Sequence, residues 1–178
     1  MRLAALSLGL SLLALPVAAQ DIECHSSDVF RIAVKPHAEE PGVQIAVNTA
    51  KTSDATSCAF DTATADRVIG EAGDPLWFHT LAGNILVLTR STGPQGDVVV
   101  HDLAKGTVLL NAPSDAFDVS HGKLVFWERS GEANAGNCPD YAEHQANAMG
   151  SVIAVEKTLL FADGTVTASG ASRCDATQ

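Results

Sequence analysis

The chain is short of aromatic side chains, with six Phe, two Trp and one Tyr in 178 residues. A stacking platform or aromatic cage therefore has few residues to draw on. Basic residues are also scarce. Eleven Lys and Arg face 21 Asp and Glu, a formal net charge of −10. That balance argues against nucleic acid and against an anionic membrane surface, both of which are met with a basic face. The acidity fits solubility and would steer a cationic partner. The four cysteines, at positions 24, 58, 138 and 174, lie too far apart for the CxxC-like clustering of a zinc site. The sequence has no G-x-S-x-G elbow, no H-E-x-x-H, no P-loop and no EF-hand spacing, which lowers the expectation of an enzyme. No cofactor is expected.

Long hydrophobic runs are confined to the first nineteen residues. Arg2, the apolar stretch Leu3 to Leu15, the helix-breaking Pro16 and the small residues Val17-Ala18-Ala19 read as a secretory signal peptide over 1–19. The apolar stretch is shorter than the about 20 residues a spanning helix needs. Periplasmic or secreted localisation is expected, with no membrane insertion after cleavage. Cys24 follows Asp21-Ile22-Glu23 rather than a small-residue box, which argues against lipidation. Removal of Arg2 leaves the mature chain, residues 20–178, one unit more acidic. Its length suits a single domain with a sizeable core.

Export changes how the cysteines read. In an oxidising compartment four cysteines suggest two disulfides. Three pairings are open, and Cys24–Cys58 with Cys138–Cys174 is favoured because each stays local to one end of the chain. Loops of that size should stabilise the fold by roughly 4 kcal/mol each.

Helical periodicity is nearly absent, and strand-like patterning with turn signals dominates. Val29 to Val34 and Val43 to Val47 alternate, separated by the polar stretch His37 to Gly42. Ile85-Leu86-Val87-Leu88 is continuously apolar, as in a strand buried on both faces. Asp97 to Asp102, Thr107 to Leu110, Lys123 to Trp127, Val152 to Val155, Leu159 to Phe161 and Thr165 to Ala168 complete the strands. Ala104-Lys105-Gly106 and Ala162-Asp163-Gly164 read as hairpin turns. One short helix is expected over Ala63 to Ala72, capped by Thr62 or Thr64 and stopped by Gly73.

The chain also repeats itself. A shift of 39 residues carries Phe78 to Phe117, Gly83 to Gly122, Leu86 to Val125 and Arg90 to Arg129. Gly96 to Val100 likewise resembles Gly150 to Ala154. The two units span about 76–115 and 116–170, and the second holds an insertion over about 130–149. The run from Gly96 to Val108, with its apolar strand, Asp102-Leu103 and Gly106, resembles the strand–turn–strand step of a β-propeller blade. The period resembles one too. That resemblance covers about 80 residues and implies a fold, not an activity. The mature chain holds at most four such units. The expected architecture is all-β: a twisted antiparallel β-meander forming a sandwich or partly closed barrel, with a small propeller-like ring as the alternative.

Candidate functional residues are few. In the insertion, Cys138-Pro139-Asp140-Tyr141-Ala142-Glu143-His144 gathers a phenol, two carboxylates and an imidazole. Asp140, Tyr141, Glu143 and His144 form the candidate binding loop. They read as a solvated, short helical turn over Asp140 to Ala148, an acid–base cluster or a metal half-site, with Tyr141 the favoured docking residue. His79, His101, His121 and His144 are the candidates for a scattered metal site, although no two show the i, i+2 spacing of strand-borne ligands. Trp77 and Trp127 read as strand packing more readily than as a sugar platform. The favoured function is a non-catalytic exported binding or interaction domain, whose partner is an unknown exported protein or small ligand. A metal-binding protein or metal-dependent hydrolase is the alternative.

Overall fold

The computed structural model describes residues 22–50 and 59–178. The expected signal peptide therefore lies outside the described residues. The fold is all-β and comprises three four-stranded antiparallel sheets, not closed into a barrel. The first sheet holds β1 (Glu23–Ser26), β2 (Phe30–Pro36), β3 (Val43–Thr49) and β4 (Arg67–Ile69). The second holds β5 (Leu76–Ala82), β6 (Ile85–Arg90), β7 (Asp97–Asp102) and β8 (Thr107–Pro113). The third holds β9 (Phe117–Ser120), β10 (Lys123–Glu132), β11 (Gly150–Leu160) and β12 (Val166–Thr177). Each is a plain up-and-down meander whose spatial order follows the chain, as the blade-like reading of a single unit implies.

The sheets stack as three layers, because strand side chains alternate between faces. From the first sheet, Ile32, Val34, Ile45 and Val47 pack against Leu86, Leu88 and Val99 of the second. The intervening residues of the second sheet, Ile85, Val87, Val98 and Val100, pack instead with Leu124, Phe126, Leu159 and Phe161 of the third. The central strands β6 and β7 thus have no solvated face. This explains the uninterrupted apolar run in β6 and the triple valine in β7.

The repeat in the sequence is a repeat in space. Gly83 and Gly122 occupy the β5–β6 and β9–β10 turns, both with positive φ (61° and 80°). A second correspondence joins the β7–β8 and β11–β12 turns. Gly106 N–H donates to Asp102 O at 2.8 Å, and Gly164 N–H to Leu160 O at 2.9 Å. Leu103 in one turn and Phe161 in the other each enter a core.

Two expectations need correction. No helix forms over 63–72. Asp61 instead caps a turn, accepting from Ala63 N–H at 2.9 Å and from the Thr64 hydroxyl at 2.8 Å. Arg67–Ile69 then becomes β4, paired with Ile45 to Val47. A β-branched pair beside an apolar strand wins over a weak helical pattern. The two expected strands Val152 to Val155 and Leu159 to Phe161 are one continuous β11, which pairs with β10 along its length. The short helical turn read over Asp140 to Ala148 is present as α1 (Tyr141–Ala146).

Cys138 and Cys174 form a disulfide with Cα atoms 5.3 Å apart. Cys24, on β1, is also disulfide-bonded. The expected Cys24–Cys58 pairing involves Cys58, which lies outside the described residues. Among the described residues, no helix is long and apolar enough to cross a membrane.

Candidate functional site

Charged residues gather first where the second and third sheets meet. Arg90, at the end of β6, forks onto Asp74: Nε lies 2.7 Å from Oδ1 and Nη2 lies 3.2 Å from Oδ2. Its Nη1 also donates to Asn111 Oδ1 at 2.9 Å. The Asp74 carboxylate raises the pKa of this guanidinium, against the opposing effect of its partial burial. Thirty-nine residues on, Arg129 repeats the device with Asp115. Asp74 and Asp115 each stand just before the first strand of their sheet. The residue after each accepts a backbone bond from the partner region: Pro75 O from Ser91 N–H, and Ala116 O from Trp127 N–H. Arg129 also donates to Gly96 O at 2.6 Å. Asp97 lies 3.9 Å from Arg90 and 3.8 Å from Arg129, between the two cations.

Beside this seam is an open cleft of about 210 Å³, lined by residues that include Thr89, Gly96, Asp97, Ser114, Asp115 and Phe117. Its two carboxylates already face guanidinium groups. Arg129, through Gly96 and Asp97, ties the third sheet to the second, whereas Arg90 holds partners of the second sheet itself.

The insertion between β10 and β11 is organised by backbone bonds. Asn134 O accepts from Asn137 and Cys138 N–H, at 3.1 and 3.0 Å, and Cys138 O accepts from Tyr141 N–H at 3.2 Å. Asp140 precedes α1 without a side-chain cap, and Glu143 lies in its first turn. Both are exposed, while Tyr141 and His144 are half-buried. His144 turns inward, with Nδ1 2.8 Å from Ser151 Oγ on β11. One ligand atom each from Cys138, His144 and Cys174 falls within 4.8 Å of the others. Of the four loop residues singled out in the sequence, His144 alone belongs to this cluster.

The remaining histidines disperse. His79 meets Phe117 edge-on at 4.8 Å. His121 occupies the β9–β10 turn with φ 43°. His101 is half-buried on β7, and burial, then the charges of Arg67 and Arg90, push its pKa down. Only His144 of the four metal candidates joins a potential ligand group among the described residues. Trp77 donates from Nε1 to Ser91 O at 3.0 Å and is otherwise exposed.

β12 is the outermost strand of the third sheet and is exposed from Val166 to Arg173. A register shift opposite Val155 and Lys157 divides it at Gly170, where φ is 87°. Beyond that bulge Ser172 to Thr177 runs straight along β11. Arg173 packs its guanidinium 4.4 Å from the centre of the Trp127 ring. It also holds Asp175 at 2.8 Å. Neither the edge nor this stack was marked by a motif. An alternating run ending in small polar residues was the available signal.

No family model matches the chain, and neither do any curated protein or solved structure.

Proposed function

We propose that the mature chain is an exported, non-catalytic binding domain that receives an extended, basic segment of a partner protein along β12. The observation that carries this reading is the straight outer edge of Ser172 to Thr177, bordered by the Arg173–Trp127 stack. An unpaired strand edge offers a row of N–H and C=O groups to a further strand. The chain's net charge of −10 favours a cationic occupant. Export is supported by the N-terminal segment and agrees with the buried Cys138–Cys174 bridge, a bond suited to an oxidising compartment.

The test uses residues 20–178 with two ten-residue peptides, one alternating Lys with Val and one alternating Glu with Val. The Lys–Val peptide should protect the amides of Ser172 to Thr177 from exchange. Asp175→Lys should weaken its binding at least tenfold. Equal binding of both peptides, or protection confined to other strands, would overturn the reading.

A further inference from the structure

Cys138, His144 and Cys174 converge through three separate parts of the third sheet: the insertion loop, α1 and β12. Their donor atoms lie within 4.8 Å of one another. Zinc takes sulfur at about 2.3 Å and nitrogen at about 2.0–2.1 Å, so neighbouring ligands of a tetrahedral ion stand roughly 3.5–3.8 Å apart. The two sulfurs are bonded to each other in the disulfide and must part on reduction to reach that spacing, with a His144 nitrogen within 4.8 Å of both. Ser151 Oγ holds Nδ1 of His144 at 2.8 Å. That contact fixes the ring as an outer-shell partner does in zinc sites, and leaves Nε2 as the nitrogen able to ligate.

We propose that reduction of the Cys138–Cys174 bridge converts this staple into a Cys₂His site for a divalent zinc-type ion. A dithiol reductant supplies two electrons and two protons. The S–S bond breaks, the dithiol leaves as its own disulfide, and Cys138 and Cys174 become thiols. The ion then displaces one proton from each thiol and takes two thiolates and the neutral imidazole, with the fourth position left to water. Two soft sulfurs and one imidazole select a zinc-class ion over magnesium or calcium. In the oxidised chain the sulfurs are spent on each other and no thiolate is available, so the site exists only after reduction. Cys174 belongs to the β12 edge segment, but the metal site is read from the reduced chain and the edge from peptide binding by the oxidised chain, so either can fail without the other.

Cobalt(II) serves as the probe, added to residues 20–178 reduced with a non-chelating phosphine. The reduced chain should bind one ion, with thiolate-to-cobalt charge transfer and tetrahedral d–d absorption, and the oxidised chain should show neither. His144→Ala should weaken binding at least tenfold and shift the d–d bands, whereas His121→Ala should leave both unchanged. Cys138→Ser with Cys174→Ser should abolish the signal while circular dichroism retains the strand spectrum. The proposal is overturned by any of four results. These are no charge-transfer band in the reduced chain, a band unaffected by His144→Ala, a band that survives loss of Cys138 and Cys174, or a band accompanied by loss of the strand spectrum.

Discussion

Asp102 is 1 % exposed and closes β7. Its Oδ1 accepts three bonds: from Asn84 Nδ2 at 2.8 Å, Ala104 N–H at 3.0 Å and Lys105 N–H at 3.1 Å. Its Oδ2 lies 3.3 Å from Lys105 Nζ. Burial alone would raise the pKa of this carboxyl. The Lys105 N–H, the Asn84 amide and the Lys105 ammonium outweigh burial and hold it below the ordinary value. Two substitutions separate the acceptor from the charge. Asp102→Ala removes all three bonds and unties the β5–β6 turn from the β7–β8 turn, and should cost about 3 kcal/mol. In a chain of this size that lowers Tm by roughly 6–12 °C. Asp102→Asn keeps an oxygen where Oδ1 stands and loses mainly the charge facing an exposed lysine, so about 1 kcal/mol is expected. Because the folded pKa is depressed, the charge contributes fully above 3.8. The contribution is lost as pH falls below that value, through the folded one. Urea unfolding of the three proteins at stepped pH measures both effects. Wild type should lose its advantage over Asp102→Asn in that acid window. If Asp102→Ala costs under 1 kcal/mol, or the gap between wild type and Asp102→Asn is the same at every pH, the reasoning fails.

Arg129 is only 16 % exposed, and Arg129→Ala leaves Gly96 O, Asp97 and Asp115 without it. A loss of about 2–3 kcal/mol is expected in urea, with Arg129→Lys recovering only part because it cannot fork. Replacing Cys138 and Cys174 by Ser opens a 36-residue link and should lower stability by roughly 4 kcal/mol in the chain-entropy account, read as a shift in urea midpoint. His101 has a lowered pKa in the fold, so its contribution is full above 6.5 and lost as pH falls below that value. NMR titration of its ring protons should give a midpoint below 6.5.

Local pattern carried far in this chain where a residue's surroundings are set by its near neighbours. The continuous apolar run of β6 foretold burial on both faces, and Gly106 and Gly164 marked their turns. The repeat placed Arg90 and Arg129 at equivalent points. Their partners stayed hidden, because Asp74 and Asp115 are 41 residues apart rather than 39. The segment after Asp61 misled, since its helical pattern is judged only against the strand it meets, and Ile45 to Val47 lies some twenty residues upstream. The candidate site divides the same way. Tyr141 and His144 were visible as an unusual cluster, but nothing local announces that His144 faces Cys174, which arrives from the far end of β12. The edge at Ser172 to Thr177 is a property of sheet order, and residue spacing does not encode it.

The layered core also sets how the molecule comes apart. Neither outer sheet shares a core cluster with the other; each buries its apolar face against the middle one. Either flank can lift away at the expense of one interface, while releasing β6 and β7 requires both to be lost. Amide protons should therefore exchange in a graded series. Those of β12 and β1 open by local fraying, whereas Leu86 to Leu88 and Val98 to Val100 are reached only through complete unfolding. The middle third of the chain is the last refuge of order, and destabilising either flank should speed exchange in that flank before it touches the centre.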